Sequence, residues 1–66
     1  MKKNEKQKFR PGDTVLHVKS KGVYEVLAIA VHEKTEEHLV IYQHEGNGGI
    51  WARDYEEFHD GRFIKL

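Results

Sequence analysis

Val23-Tyr24-Glu25-Val26-Leu27-Ala28-Ile29-Ala30-Val31 decides the fold. Val23, Val26, Ile29 and Val31 are β-branched, and no Gly or Pro interrupts the run. Branched side chains lose χ1 freedom against the preceding turn of a helix but pack well on a pleated surface. The stretch therefore reads as a strand, and its nearly continuous apolar character predicts burial on both faces over part of its length.

On its C-terminal side, polar residues 32–37 predict a hairpin loop and residues 39–43 a third strand. Gly46-Asn47-Gly48-Gly49 is the sharpest turn signal in the chain. It leads into a short strand over 50–53 and a single helical turn over 54–58 that Asp54 can cap. Asp60-Gly61 then turns the chain into a last strand over 62–66. On the N-terminal side, Ser20-Lys21-Gly22 is a tight connection from a first strand over 14–19. Arg10-Pro11-Gly12-Asp13 combines a fixed backbone angle at Pro with the positive φ that Gly tolerates, which marks a reversal. The expected fold is all-β: a small SH3-like barrel of about five antiparallel strands, with one short helical turn before the last. Closure or near-closure would remove the exposed edges. The sequence reads without internal repeats or linkers. Residues 1–9 read as a flexible basic tail and residues 10–66 as the folded domain.

The 66 residues hold one domain and no Cys, which excludes disulfides and thiolate metal sites and fits a reducing cytoplasm. No apolar run is long enough to cross a membrane or to act as a signal peptide. Lysine and arginine balance aspartate and glutamate, 11 against 11, but unevenly. Residues 1–10 set five basic residues against Glu5, a net of +4, so the rest carries −4. A net-acidic domain argues against nucleic acid as the main partner, because phosphate neutralisation dominates such binding. The basic tail is the one route to it.

Taken together, Gly22, Tyr24, Val26, Leu27, Ala30, His32, Thr35, Glu36 and Glu37, followed by Leu39, Val40, Tyr42 and Gln43, resemble the core of the DUF1653 family. Gly48-Gly49-Ile50-Trp51-Ala52-Arg53 resembles that family's Gly-x-x-Trp-x-Arg element, and Glu56, Phe58 and Gly61-Arg62-Phe63 also match. His17 falls where the family usually has a first-strand His. Two departures are Asp54, where the family tends to have Pro, and Leu16 and Val18, where it often has aromatics. The resemblance implies an SH3-like barrel over about residues 12–66 and a family of unknown function.

Trp51 and Arg53 lie two apart, so in a strand they leave the same face. A ring that stacks on a flat group beside a guanidinium that forks onto an anion makes a recognition pair. The bland alternative has Trp51 filling the core and Arg53 pairing with Glu25 or Glu56. Gly48 and Gly49 would let a ligand approach the backbone and offer it peptide N–H groups. His17 and His32, if barrel closure brings them to one rim, would add charge to a cationic pocket, unless they are simply hydrogen-bonded histidines. The expected ligand-binding set is thus His17, His32, Gly48, Gly49, Trp51 and Arg53. No metal or cofactor is expected: His32, His38 and His44 recur every six residues but fall in a loop, at a strand start and past a strand end. No catalytic residue is expected either, since Ser20 has no His–carboxylate pair near it in sequence. The functional expectation is a non-catalytic cytoplasmic binding module that takes a small anionic or aromatic ligand or a protein partner. The alternatives are an interaction adaptor or inhibitor, such as a phage or accessory protein, and a weak nucleic-acid binder resembling KOW or Tudor barrels.

Overall fold

The computed structural model describes residues 8–66. Its elements are β1 (Thr14–His17), β2 (Val23–Val31), β3 (His38–His44), β4 (Ile50–Asp54), α1 (Tyr55–Phe58) and β5 (Phe63–Lys65). They form one antiparallel sheet in the order β4-β3-β2-β1-β5, the strand plan of a small SH3-like barrel. The strands and the single helical turn fall where the sequence places them, and Asp54 caps α1 by accepting the Glu56 N–H at 2.9 Å. At the predicted reversal, Gly12 takes φ +97°, the Asp13 N–H donates to the Arg10 carbonyl, and the Asp13 carboxylate accepts from the Arg10 N–H.

Two expectations are corrected, and near-closure takes a form that the sequence did not specify. β2 is not buried on both faces; within it only Val26 is fully buried. Its continuous apolar run has another cause. Tyr42 pairs with Val26 and Ile41 with Ala28, which leaves Leu27 as an extra residue in a β-bulge. A bulge shifts the alternation by one, so Tyr24 and Val26 face inward before it and Ile29 after it. The same bulge bends β2, which lets a single long strand serve both halves of a curled sheet.

The sheet also does not close by hydrogen bonds. Among the described residues no ladder joins β4 to β5. Side chains span that seam instead. Phe58 of α1 is fully buried, stacked on Phe63 of β5 at 4.1 Å between ring centroids and 4.9 Å from Tyr42 of β3.

Phe9 is the second correction. The polar, charged residues around it place it in the expected tail. It is a core residue, with its ring edge-on to Phe58 and stacked on His59. Its N–H donates to His59 Nε2 at 3.1 Å, while His59 Nδ1–H donates to the Tyr55 carbonyl at 2.8 Å, so one neutral tautomer joins the N-terminal segment to α1. The domain therefore begins no later than Phe9, and the rest of the expected tail, apart from Lys8, lies outside the described residues.

The core is small: Phe9, Val15, Val26, Val40, Tyr42, Phe58 and Phe63. Removing a buried Phe side chain costs about 3–5 kcal/mol, comparable with the about 3–5 kcal/mol available to a core of this size. Phe9→Ala should therefore leave the domain largely unfolded at 25 °C in urea titrations, while Lys8→Ala should change its stability by less than about 0.5 kcal/mol. A folded Phe9→Ala protein with an unchanged midpoint would remove Phe9 from the core.

Candidate functional site

The inner face of the sheet follows from the register. Residues directly opposite on antiparallel strands share a face. Val40 and Tyr42 are buried, so their β4 partners Arg53 and Trp51 are on the inner face with them. Tyr24 joins this face opposite Val15 and His44 opposite Tyr24. His17 joins it opposite Phe63.

These residues make one aromatic surface with a wet margin. Tyr24 and Tyr42 meet edge-on at 5.1 Å, Tyr42 and Phe63 at 5.5 Å, Tyr24 and His44 at 5.0 Å, and His17 and Phe63 at 4.9 Å. Trp51 is at the rim on the edge strand and is 55% exposed, so it does not fill the core. Arg53 reaches across the seam. Its Nε–H donates to the Tyr42 hydroxyl at 3.3 Å, and its guanidinium carbon is 5.9 Å from the Phe63 ring centroid. The hydrogen bond that Arg53 donates to Tyr42 raises the Arg53 pKa above its ordinary value, with partial burial opposing it. The guanidinium is therefore a permanent cation at the mouth. Its carboxylate partner is Glu57, at 3.7 Å, not Glu25 or Glu56.

Of the sequence-derived site residues, Trp51, Arg53 and His17 are thus gathered around Tyr42 and Phe63. His32 is not. It follows β2 at the far end of that nine-residue strand, roughly 30 Å of extended chain from His17. A sheet that stays open at β4 and β5 does not bring the two to one rim.

Gly48 and Gly49 adjoin Trp51 but offer no free N–H. The Gly48 N–H donates to the His44 carbonyl at 2.8 Å and the Gly49 N–H to Asn47 Oδ1 at 2.7 Å. Gly48 takes φ +78°, a conformation that favours glycine. Gly49 leaves room, since a Cβ there would be 3.5 Å from Trp51 Nε1 and 3.1 Å from Asn47 Oδ1.

The histidines have a common explanation that the sequence reading missed. Three turns, beginning at His17, His32 and His44, repeat one set of bonds. In each, the imidazole Nδ1 accepts peptide N–H groups two or three residues on: Ser20 at 3.2 Å; Lys34 and Thr35 at 3.1 and 3.3 Å; Gly46 and Asn47 at 3.0 Å. The side-chain oxygen of Ser20, Thr35 or Asn47 then accepts the N–H of Gly22, Glu37 or Gly49. The residue between, Lys21, Glu36 or Gly48, takes positive φ and donates its N–H to the His carbonyl. The signal is His-x-x-(Ser/Thr/Asn), an internal repeat hidden because only two positions of each unit are constrained.

The Nδ1 atoms of these imidazoles thus serve as caps for turn N–H groups. The structure also places His17 Nδ1 2.9 Å from Ser20 Oγ, a Ser–His contact not anticipated from sequence. It belongs to the same turn pattern as its two counterparts.

The family model described as "Protein of unknown function (DUF1653)" matches residues 14–62. The chain belongs to the DUF1653 family. No curated protein and no solved structure matches it. The match covers all three histidine turns, Trp51, Arg53 and α1 of this DUF1653 domain, but not Phe9. No helix of its described residues is long and apolar enough to cross a membrane.

The turn account predicts a graded series at His32, which lies away from the aromatic surface. His32→Ala should lower unfolding free energy by about 1 kcal/mol, the usual cost of removing a side-chain acceptor from backbone N–H groups. His32→Asn, whose side chain accepts in the same local pattern, should recover at least half of it. Urea denaturation would contradict the account if both variants matched the parent.

Proposed function

We propose that this DUF1653 chain is a small non-catalytic binding module of the cytoplasm, whose inner-face mouth takes a flat anionic group. Trp51 supplies the stacking surface, Arg53 the charge, and Tyr24, His44 and His17 the margin. The observation that carries the proposal is the pairing of a half-exposed indole with a part-buried guanidinium whose ionic partner gives way easily. Arg53 and Glu57 are four residues apart, 3.7 Å from each other, and Glu57 is 56% exposed. Such a pair is worth about 0.3–0.5 kcal/mol. A ligand anion can displace it at little cost and gain a charge-assisted contact that the neighbouring indole shields from water. The non-catalytic part of the reading is supported by the use of the candidate nucleophiles and bases inside turns. The absence of Cys supports the cytoplasmic setting.

Phenyl phosphate is a suitable probe because it combines a flat ring with an anion. Its titration into the labelled protein should shift the Trp51 indole and Arg53 Nε–H signals together, with a dissociation constant of about 1 mM as fits so small a ligand. Inorganic phosphate should bind at least about tenfold more weakly, because ring stacking contributes on the order of 1 kcal/mol or more. Trp51→Ala should abolish the difference between the two probes with little loss of stability, because the ring is already half in water. Trp51 is thus a cleaner probe than Arg53, which also spans the seam. Shifts that map away from the mouth, or equal binding by the Trp51→Ala protein, would overturn the proposal.

A further inference from the structure

We infer that β4 is the interface through which two copies of this chain associate, by antiparallel pairing about a two-fold axis at Ala52. This goes beyond the proposed ligand site, whose Trp51 and Arg53 it also engages, and starts from the free edge of the sheet.

β4 pairs with β3 on one side, and among the described residues nothing pairs with its other side. Its first three residues, Ile50, Trp51 and Ala52, are all exposed, with Ile50 at 60% and Trp51 at 55%. Natural edges are usually blunted by Lys, Pro, a bulge or brevity. β5, the other edge, has only three residues and ends in Lys65. The first three residues of β4 carry none of these guards.

The phase of the edge matches a copy of itself. The His44 N–H donates to the Gly49 carbonyl, and hydrogen-bonded pairs alternate along an antiparallel ladder. Gly49, Trp51 and Arg53 therefore direct their backbone groups to β3, and Ile50, Ala52 and Asp54 direct theirs to the open edge. A two-fold at Ala52 sets Ala52 against itself and Ile50 against Asp54. Each Ala52 N–H then reaches the other Ala52 carbonyl, and each Asp54 N–H reaches an Ile50 carbonyl. The Asp54 side chain, which caps α1 by accepting the Glu56 N–H, takes no part in this pairing.

The side chains agree with this register. Trp51 falls opposite the partner's Arg53, in the non-hydrogen-bonded position where side chains approach most closely. An Arg beside a Trp is the best of the cation–π pairs. The two-fold makes that contact twice, and each half-exposed indole is covered. A partner of different sequence would have to supply both the phase and the cation, whereas a second copy has them.

Five residues per strand make a small interface, so the dimer is weak, with a dissociation constant of about 10 µM to 1 mM. Sedimentation equilibrium from about 10 µM to 2 mM should show the mass rising from the 7.8 kDa chain toward twice that value. Ala52→Pro removes the central edge N–H, which an edge strand tolerates. Ala52→Lys sets like charges across the axis. Both should remain monomeric throughout, and either one suffices if the other fails to fold. A parent that is monomeric at 2 mM would overturn the inference, as would a dimer that survives the folded Ala52 variants. Phenyl phosphate titration of monomeric Ala52→Lys protein tests the mouth separately, because Trp51 and Arg53 are untouched.

Discussion

The seam between β4 and β5 is where this domain must succeed or fail. A sheet of five short strands cannot bury an apolar face unless it curls, and a curled sheet must be held shut at its two ends. Here backbone pairing does not hold it. Arg53 crosses from β4 to the Tyr42 hydroxyl and the Phe63 ring, and Phe58 is packed between Tyr42 and Phe63 from below. Four side chains from β3, β4, α1 and β5 therefore replace a ladder of hydrogen bonds. The rest follows from their placement. The bulge at Leu27 bends β2 so that the two halves of the sheet face one another. Asp54 stops β4 and starts α1, so that Phe58 arrives under the seam.

Closure by side chains has a functional consequence. A hydrogen-bonded seam would bury Arg53 and leave no mouth. A side-chain seam leaves the guanidinium partly in water and the Trp51 ring at the rim, with an aromatic floor below. The same Arg53 thus supports the fold and remains chemically available. The open seam also leaves β4 with an unpaired outer edge, so the inferred self-association and the proposed ligand site draw on the same Trp51 and Arg53.

Much of the fold was legible because its signals are local. Branched residues in 23–31, Gly and Asn in 46–49, Pro-Gly at 11–12 and Asp54 before an apolar turn each act within a few residues. What was not legible depended on pairing. Nothing in 23–31 says that Leu27 is skipped, because a bulge is defined by the partner strand. Phe9 looks like a stray aromatic until His59, fifty residues away, is placed against it. At the site, Trp51 and Arg53 were readable from alternation along one strand. His17 was readable as a strand residue but not as a neighbour of Phe63. His32 enters the expected set only if closure brings it to the rim of His17, and the N–H groups that both Nδ1 atoms accept come from turns whose shape a single sequence hides. Tyr24, Tyr42, Phe63 and His44 lie outside the expected ligand set because their shared face is set by cross-strand register, and Tyr42 and Phe63 are core residues as well.

A double-mutant cycle on the clasp itself tests this account most directly. Tyr42→Phe removes only the hydroxyl that accepts from Arg53, and Arg53→Leu removes the donor while keeping much of the apolar stem. Urea unfolding of the two single variants and the double variant yields their coupling free energy. If the seam is held as described, the coupling is favourable by about 1 kcal/mol, the net value of a hydrogen bond to a charged group that is partly shielded from water. A coupling within about 0.3 kcal/mol of zero would show that the two side chains meet without holding the seam.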